Sequence, residues 1–181
     1  LIKKFKRHGK LMWEFANGID DSKVEPIHPD AKGIGNSTTL AKDAEDLGTI
    51  HKVLLSLSDS VAARIRKAES LAYMVSVEVK YNTFVKNSHQ TTLSTPTNTS
   101  DTIYKTACRL FDELWDGTPV RLLGIRCTKL VDIDEPVQMS LMDYDFNEKD
   151  EKSKKLDSAL DSIRKRYGSS AVVRGSMLKN K

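Results

Sequence analysis

The chain is poor in the residue types that carry covalent or metal chemistry. It has two cysteines, Cys108 and Cys127, and they share neither a Cys-x-x-Cys nor a zinc-type spacing. Cys108 falls in a helical pattern and Cys127 in a strand pattern, so both read as reduced, buried thiols. The histidines, His8, His28, His51 and His89, lack a ligand spacing such as His-Glu-x-x-His. There is no Gly-x-Ser-x-Gly elbow and no Gly-x-x-x-x-Gly-Lys-Ser/Thr loop. No apolar run approaches the roughly 18 residues of a membrane span. The opening Leu1-Ile-Lys-Lys-Phe-Lys-Arg7 lacks the apolar stretch of a signal peptide. A cytoplasmic protein with no membrane partner is expected. The acidic groups Asp20-Asp21, Asp132-x-Asp134 and Asp43-x-Glu45-Asp46 fall at helix ends or in loops, without a strand scaffold. That is a poor base for two metal ions about 3.5–4 Å apart. Acidic residues in a first helical turn also complement the helix dipole, which accounts for Asp43, Glu45 and Asp46 without function. No catalytic residue, metal ligand or cofactor site is assigned within this chain.

What is present is a modest core and segregated charge. A hydrophobic share of 39% beside a charged share of 30% fits one domain with charged extensions. Net charge is +3 over residues 1–23, +1 over 24–131, −6 over 132–161 and +6 over the last twenty. A near-neutral body thus leads into an acidic connector and a basic end. Such tails suit partner contacts, or they are simply solvated. The absence of an initiating methionine and the helix-like opening are expected of a piece of a longer chain.

Residues 1–19 predict a helix: Leu11, Phe15 and Ile19 recur at helical spacing, Met12 and Trp13 widen the stripe, and Gly18 is placed to end it. Residues 20–32, with Pro26 and Pro29, read as a linker. Lys32 to Leu40 is a short strand. Asp43 to Ala68 is a long helix, with Leu47, Ile50, Leu54, Leu57, Val61, Ile65 and Ala68 on one face. Ala72 to Phe84 is the clearest strand, with Val75, Val77, Val79 and Tyr81 on one side. Gln90 to Ser94 is its shorter hairpin partner. Thr95 to Asp101 is loop, with Ser100 or Asp101 as N-cap for a helix to Trp115. Val120 to Val131 is the last strand, with Leu123, Ile125 and Cys127 inward and Arg126 and Thr128 outward. Residues 132–155 are acidic and extended, before a short amphipathic helix on Leu156, Leu160, Ile163 and Tyr167. The expected class is α+β, a β-α-β-β-α-β domain with a four-stranded sheet and two helices on one face.

The polar side of that sheet is the first candidate site. Ser76, Lys80 and Asn82 line up with Asn36, Ser37 and Thr39, with His89 and Thr91, and with Arg126 and Thr128. Small hydroxyls and amides leave backbone N–H groups accessible, which suits phosphate contacts that position a duplex without reading it. Any one-sided sheet also has a polar face. The same element order occurs in RNA-binding domains that stack bases on aromatics of inner strands. Here Gln90-Thr-Thr-Leu-Ser94 has no aromatic, which argues against that comparison. The second candidate is Gln138-Met-Ser-Leu-Met142, apolar residues in an otherwise acidic tail. Such residues cannot repay their ordering entropy alone and point to docking in a partner's groove.

Together these segments resemble the Y-family translesion polymerases of the DNA polymerase IV (DinB–UmuC) group. Gly9-Lys-Leu-Met-Trp-Glu-Phe-Ala-Asn-Gly-Ile-Asp20 resembles the closing helix of the family's thumb. Lys32 to Leu40 is similar to the opening strand of its little-finger domain. Tyr104, Asp112 to Gly117 and Pro119-Val-Arg-Leu-Leu-Gly-Ile125 resemble that domain's second helix and final strand. Gln138 to Met142 is similar to the bacterial sliding-clamp peptide, with Met142 where an aromatic is usual. Leu156 to Lys165 and Arg174 to Leu178 look like the ends of UmuC-like relatives in Gram-positive bacteria. The resemblance implies four parts: the end of a thumb (1–22), a linker (23–31), a little finger (32–131) and a clamp-binding tail (132–181). It implies DNA-contacting residues Asn36, Ser37, Thr39, Lys80, His89 and Arg126 on a template–primer duplex. It implies clamp-binding residues Gln138, Leu141 and Met142 on a bacterial sliding clamp. The catalytic aspartates, and the magnesium the full-length enzyme uses, belong to a palm that precedes residue 1. A standalone nucleic-acid or protein-binding adaptor remains the alternative, with a metal-dependent enzyme as a third reading.

Overall fold

The structure, a computed structural model, describes residues 1–24, 26, 31–136, 144–168 and 170–175, with the backbone alone over 144–150. The chain divides into two compact units, Leu1–Asp30 and Ala31–Lys181.

In the first unit, helix α1 (Ile2–Ala16) is kinked at Lys6 (φ 48°, ψ −124°). The kink turns the first residues back on Gly9, where a Cβ would stand 2.5 Å from the Leu1 carbonyl oxygen. Gly18 (φ 72°) ends the helix as the spacing predicts. Its N–H donates to Phe15 O and that of Ile19 to Glu14 O, the paired bonds of a Schellman cap.

The second unit holds strand β1 (Gly33–Ala44), helix α2 (Leu47–Lys67), β2 (Ser70–Tyr81), β3 (Lys86–Thr97), α3 (Ser100–Leu114), β4 (Val120–Asp132) and α4 (Tyr144–Tyr167). The sheet order is β1-β4-β2-β3 and every neighbouring pair is antiparallel. Both helical crossovers therefore join parallel strands separated by one other. This is the expected β-α-β-β-α-β class. The short strand Gln90–Ser94 is really the middle of a full-length edge strand, β3, paired along β2.

The apolar residues sort as their periods require. Ile50, Leu54, Val61 and Ile65 of α2 and Ile103, Ala107, Leu110 and Phe111 of α3 are at most 1% exposed. They pack on Val75, Val77 and Val79 of β2 and Leu123, Ile125 and Cys127 of β4. Burial pushes the Cys127 thiol up to about 12 and that of Cys108 up to about 11.

Several boundaries differ from expectation. The long helix starts at Leu47, not Asp43, because β1 runs on to Ala44. Asp46 is its N-cap, accepting from the Thr49 N–H at 2.7 Å, and that bond holds the carboxyl below its usual range. Asp43 instead lies 3.8 Å from Arg121. Leu47, in the first turn, is 42% exposed and off the core. The N-cap of α3 is Thr99 rather than Ser100 or Asp101. Finally, the tail from Tyr144 is one 24-residue helix, where an extended segment and a short helix were expected. Lys- and Glu-rich sequence is competent for helix but shows no apolar stripe, so periodicity misses its first half.

Among the described residues no helix is long and apolar enough to cross a membrane.

Candidate nucleic-acid interface

Pairing register decides which side chains share a face, because strand side chains alternate and directly opposed residues point the same way. Val77 opposes Ile125 on the helix side, so Ser76, Glu78 and Lys80 lie on the open side with their partners Arg126, Gly124 and Leu122. On β1, Gly35 opposes Arg126, Ser37 opposes Gly124 and Thr39 opposes Leu122. Four of the six predicted DNA-contacting residues therefore stand together on the open face: Ser37, Thr39, Lys80 and Arg126.

The other two do not join them. Asn36 opposes the core residue Ile125, and His89 opposes the core residue Val77. Both occupy edge strands on the helix side. Asn36 donates through Nδ2 to Ser60 Oγ of α2 at 3.1 Å, and His89 Nε2 lies 3.1 Å from Glu113 Oε2 of α3. Thr91, opposite Val75, also turns toward the helices. The sequence grouped these residues by polarity. On an edge strand, however, polar side chains occur on both faces, because the helix-covered side is itself wet at its rim.

The position of Arg126 is set by glycines. A Cβ on Gly35 would stand 3.1 Å from Arg126 Cβ and 3.0 Å from the Ile125 carbonyl. One on Gly33 would stand 3.2 Å from Arg126 Nε and 2.7 Å from Thr128 Cγ2. The Gly33-Ile-Gly35 run thus leaves a trough across β1 in which the arginine lies. A strand glycine of this kind marks close approach. Ser76 Oγ donates to the Arg126 carbonyl at 3.0 Å and pins the same point from β2.

The opposite end of the face concentrates positive charge. Lys80 opposes Lys86 directly across β2 and β3. Like charges so placed are destabilising. Lys86 is drawn to Glu78 Oε1 at 3.0 Å. The Lys80 ammonium lies 4.4 Å from the centroid of the Phe84 ring, and the Arg121 guanidinium lies 5.2 Å from it. Phe84, Arg121 and Lys86 were missed in the sequence, which gives no sign of a bulge or of a left-handed residue.

Gln138, Leu141 and Met142 lie outside the described residues. Among the described residues no group of three His, Cys, Asp or Glu side chains stands close enough to share a metal ion.

Comparison with known proteins places the chain. A model of the impB/mucB/samB family C-terminal domain matches residues 31–141. DNA polymerase IV of Clostridium acetobutylicum is 38% identical over 97% of this chain and 43% of its own length. That of Clostridium kluyveri is 38% identical over 99% of this chain and 46% of its own. The chain spans under half the length of these relatives. Among solved structures, a Y-family DNA polymerase chimera superposes on 70% of this chain with a TM-score of 0.53 at 18% identity, and covers 36% of that protein. An insertion ternary complex of Dbh DNA polymerase covers 71% of the chain and 36% of that protein, with a TM-score of 0.51, also at 18% identity. These structural likenesses show the shared fold. With the family model matching well over half of its length, the chain belongs to the impB/mucB/samB family, whose C-terminal domain it carries.

Proposed function

We propose that this chain supplies the grip and location of a translesion DNA polymerase that acts in damage tolerance and repair. The open sheet face lies along the template–primer duplex, with Ser37, Thr39, Lys80 and Arg126 as phosphate contacts. One observation carries this reading: within the second unit α2 and α3 pack on one side of the four-stranded sheet, and the other side presents small hydroxyls between cations. Small groups let a phosphate approach backbone and side-chain donors together, and none of this reads sequence. Asn36 and His89 steady the edge strands instead. Catalysis, and the magnesium that serves it, is assigned to the part of the parent enzyme outside this chain.

Affinity of this kind comes from released counterions. Binding of the chain to duplex DNA is expected to fall with salt at a slope near −0.9 per phosphate neutralised. Arg126→Ala is expected to weaken all duplex sequences alike and to reduce the slope by about 1. A salt-independent affinity, or strong preference for one sequence, would defeat the reading. Primer extension by the chain alone is expected to be blank.

The tail is assigned to a bacterial sliding clamp through Gln138, Leu141 and Met142. Support comes from its composition: apolar residues in an acidic stretch, in the sequence between β4 and α4. Anchors of this type typically cost about 2 kcal/mol or more on truncation. A peptide spanning Pro136 to Asp145 is expected to bind the clamp, and no binding would remove the assignment. Tethering raises the local concentration of enzyme at a primer end.

A further inference from the structure

The turn between β2 and β3 spends conformational strain on an exposed ring. Tyr81 N–H donates to Val85 O and Phe84 N–H to Tyr81 O, closing a short hairpin loop. Its last loop residue is left-handed, with φ 69°. Three-residue hairpin loops favour glycine at that position, because a Cβ there is crowded. Here it is a phenylalanine. A bulky residue with positive φ is an outlier, and strain of this kind points to use rather than to packing. Packing does not account for it: Phe84 is 61% exposed and stands apart from the core cluster.

A second, independent irregularity aims at the same ring. Along β2 and β4, Lys80 opposes Leu122 but Tyr81 opposes Val120. Arg121 is therefore the extra residue of a β-bulge, and bulges re-aim side chains. This one brings the Arg121 guanidinium within 5.2 Å of the Phe84 ring centre, while Lys80 reaches 4.4 Å. Asp43, at 3.8 Å, is the acidic neighbour of Arg121, in a pair exposed on both sides. Such a pair holds an arginine weakly.

We propose that Phe84, Lys80 and Arg121 form a binding site for an unpaired nucleotide at one end of the DNA-gripping face. The base stacks on the Phe84 ring and the adjoining phosphates meet Lys80 and Arg121. The chemistry selects this occupant. A base inside a duplex has both faces covered by its neighbours, so only an unpaired one can meet a side-chain ring. An aromatic beside cations is the combination that holds single strands without regard to sequence. With both cations in place most of Phe84 is still exposed, so ring surface is left for a ligand. The site rests on the duplex-binding reading above and extends it from paired to unpaired DNA.

The test compares the full chain, by fluorescence anisotropy, on a blunt duplex and on the same duplex with a single-stranded overhang. Wild type is expected to prefer the overhang substrate by about tenfold, the size of one base–aromatic stack. Phe84→Ala is expected to remove that preference and leave blunt-duplex affinity within about twofold. Phe84→Gly relieves the backbone and is expected to melt no lower than wild type while losing the same preference, which separates binding from folding. Phe84→Trp is expected to keep it and to gain a fluorescence component quenched by oligo(dT). The proposal is overturned if Phe84→Ala changes neither substrate, as a protein-docking role for the ring predicts, or both equally. Failure of wild type to bind either substrate would instead overturn the duplex reading beneath it.

Discussion

The two sides of the sheet use charge in opposite ways. On the open side, cations crowd one another: Lys80 faces Lys86, and Arg121 and Lys80 share one exposed ring. On the helix side, oppositely charged groups pair within the chain. Arg66, at the end of α2, forks through Nε and Nη2 onto Asp161 of α4 at 2.7 and 3.1 Å. Its Nη1 donates to Asp157 at 3.0 Å and to the Asn98 carbonyl at 2.7 Å. Asp157, 4% exposed, also accepts the Ser100 N–H at 2.8 Å, so the first turn of α3 is capped by a residue of α4. Arg174 forks onto Asp59 of α2 at 2.9 to 3.2 Å, and that bonding raises its pKa. The acidic and basic parts of the tail are thus fastened to the domain's own helices. One side joins cation to carboxylate across remote parts of the chain, while the other sets cation beside cation.

The comparison breaks first at Arg66. Its side chain is 11% exposed and that of Asp157 is 5% exposed. Arg66→Ala leaves a buried carboxylate without its cation and is expected to cost about 3 kcal/mol or more. That is a large fraction of a typical domain's stability. Chemical denaturation measures the loss, and hydrogen exchange should show α4 opening with it. Arg66→Lys keeps the charge but not the fork, and an intermediate loss is expected. Arg174→Ala ranks next, at about 1 kcal/mol. The loss is smaller because Arg164 remains 3.8 Å from Asp59 and the Arg174 side chain is 30% exposed. Faster proteolysis within 168–175 would report it.

How much of this the sequence disclosed follows from how local each cause is. The valines of β2 and the apolar face of α2 repeat at their own periods, so the sheet, its covering helices and the class were legible. The side of each strand was legible only inside the sheet: Arg126 and Lys80 were placed correctly, but Asn36 and His89, on edge strands, were not. The Arg66–Asp161 pair joins residues 95 positions apart, and Arg174–Asp59 joins residues 115 apart. Pairings so remote leave no local pattern, and the tail read as a connector and a basic end. Phe84 escaped for another reason: a left-handed backbone usually announces itself by glycine or asparagine, and here it does not.

A thiol titration sharpens the same contrast, since Cys127 is buried in the core and Cys108, against expectation, is only half-buried at its edge. Cys127 and Cys108 stay protonated to about pH 12 and about pH 11, each because burial disfavours the thiolate. Once unfolded, both thiols ionise near 8.5. Folded pKa values above unfolded ones stabilise the fold below the unfolded pKa, and that stability is lost as pH rises toward the folded value. The melting temperature is therefore expected to fall between about pH 9 and 11, less steeply in Cys127→Ala than in wild type after correction for the cavity. Alkylation of Cys127 at pH 8 should wait on unfolding.

The smallest expected change in stability belongs to the open face. Arg126→Ala and Lys80→Ala remove charged groups that the fold does not need, and surface changes of this kind usually stay within about 0.5 kcal/mol. Lys80→Ala is even relieved of its opposition to Lys86, which offsets the lost contact with Phe84. If the face evolved to hold DNA, the same substitutions must lower duplex affinity and flatten its salt dependence while denaturation curves hardly move. The reverse pattern, stability lost and affinity kept, would make the open face a structural surface like the other. That outcome would dissolve the contrast, because charge on both sides would then serve the fold.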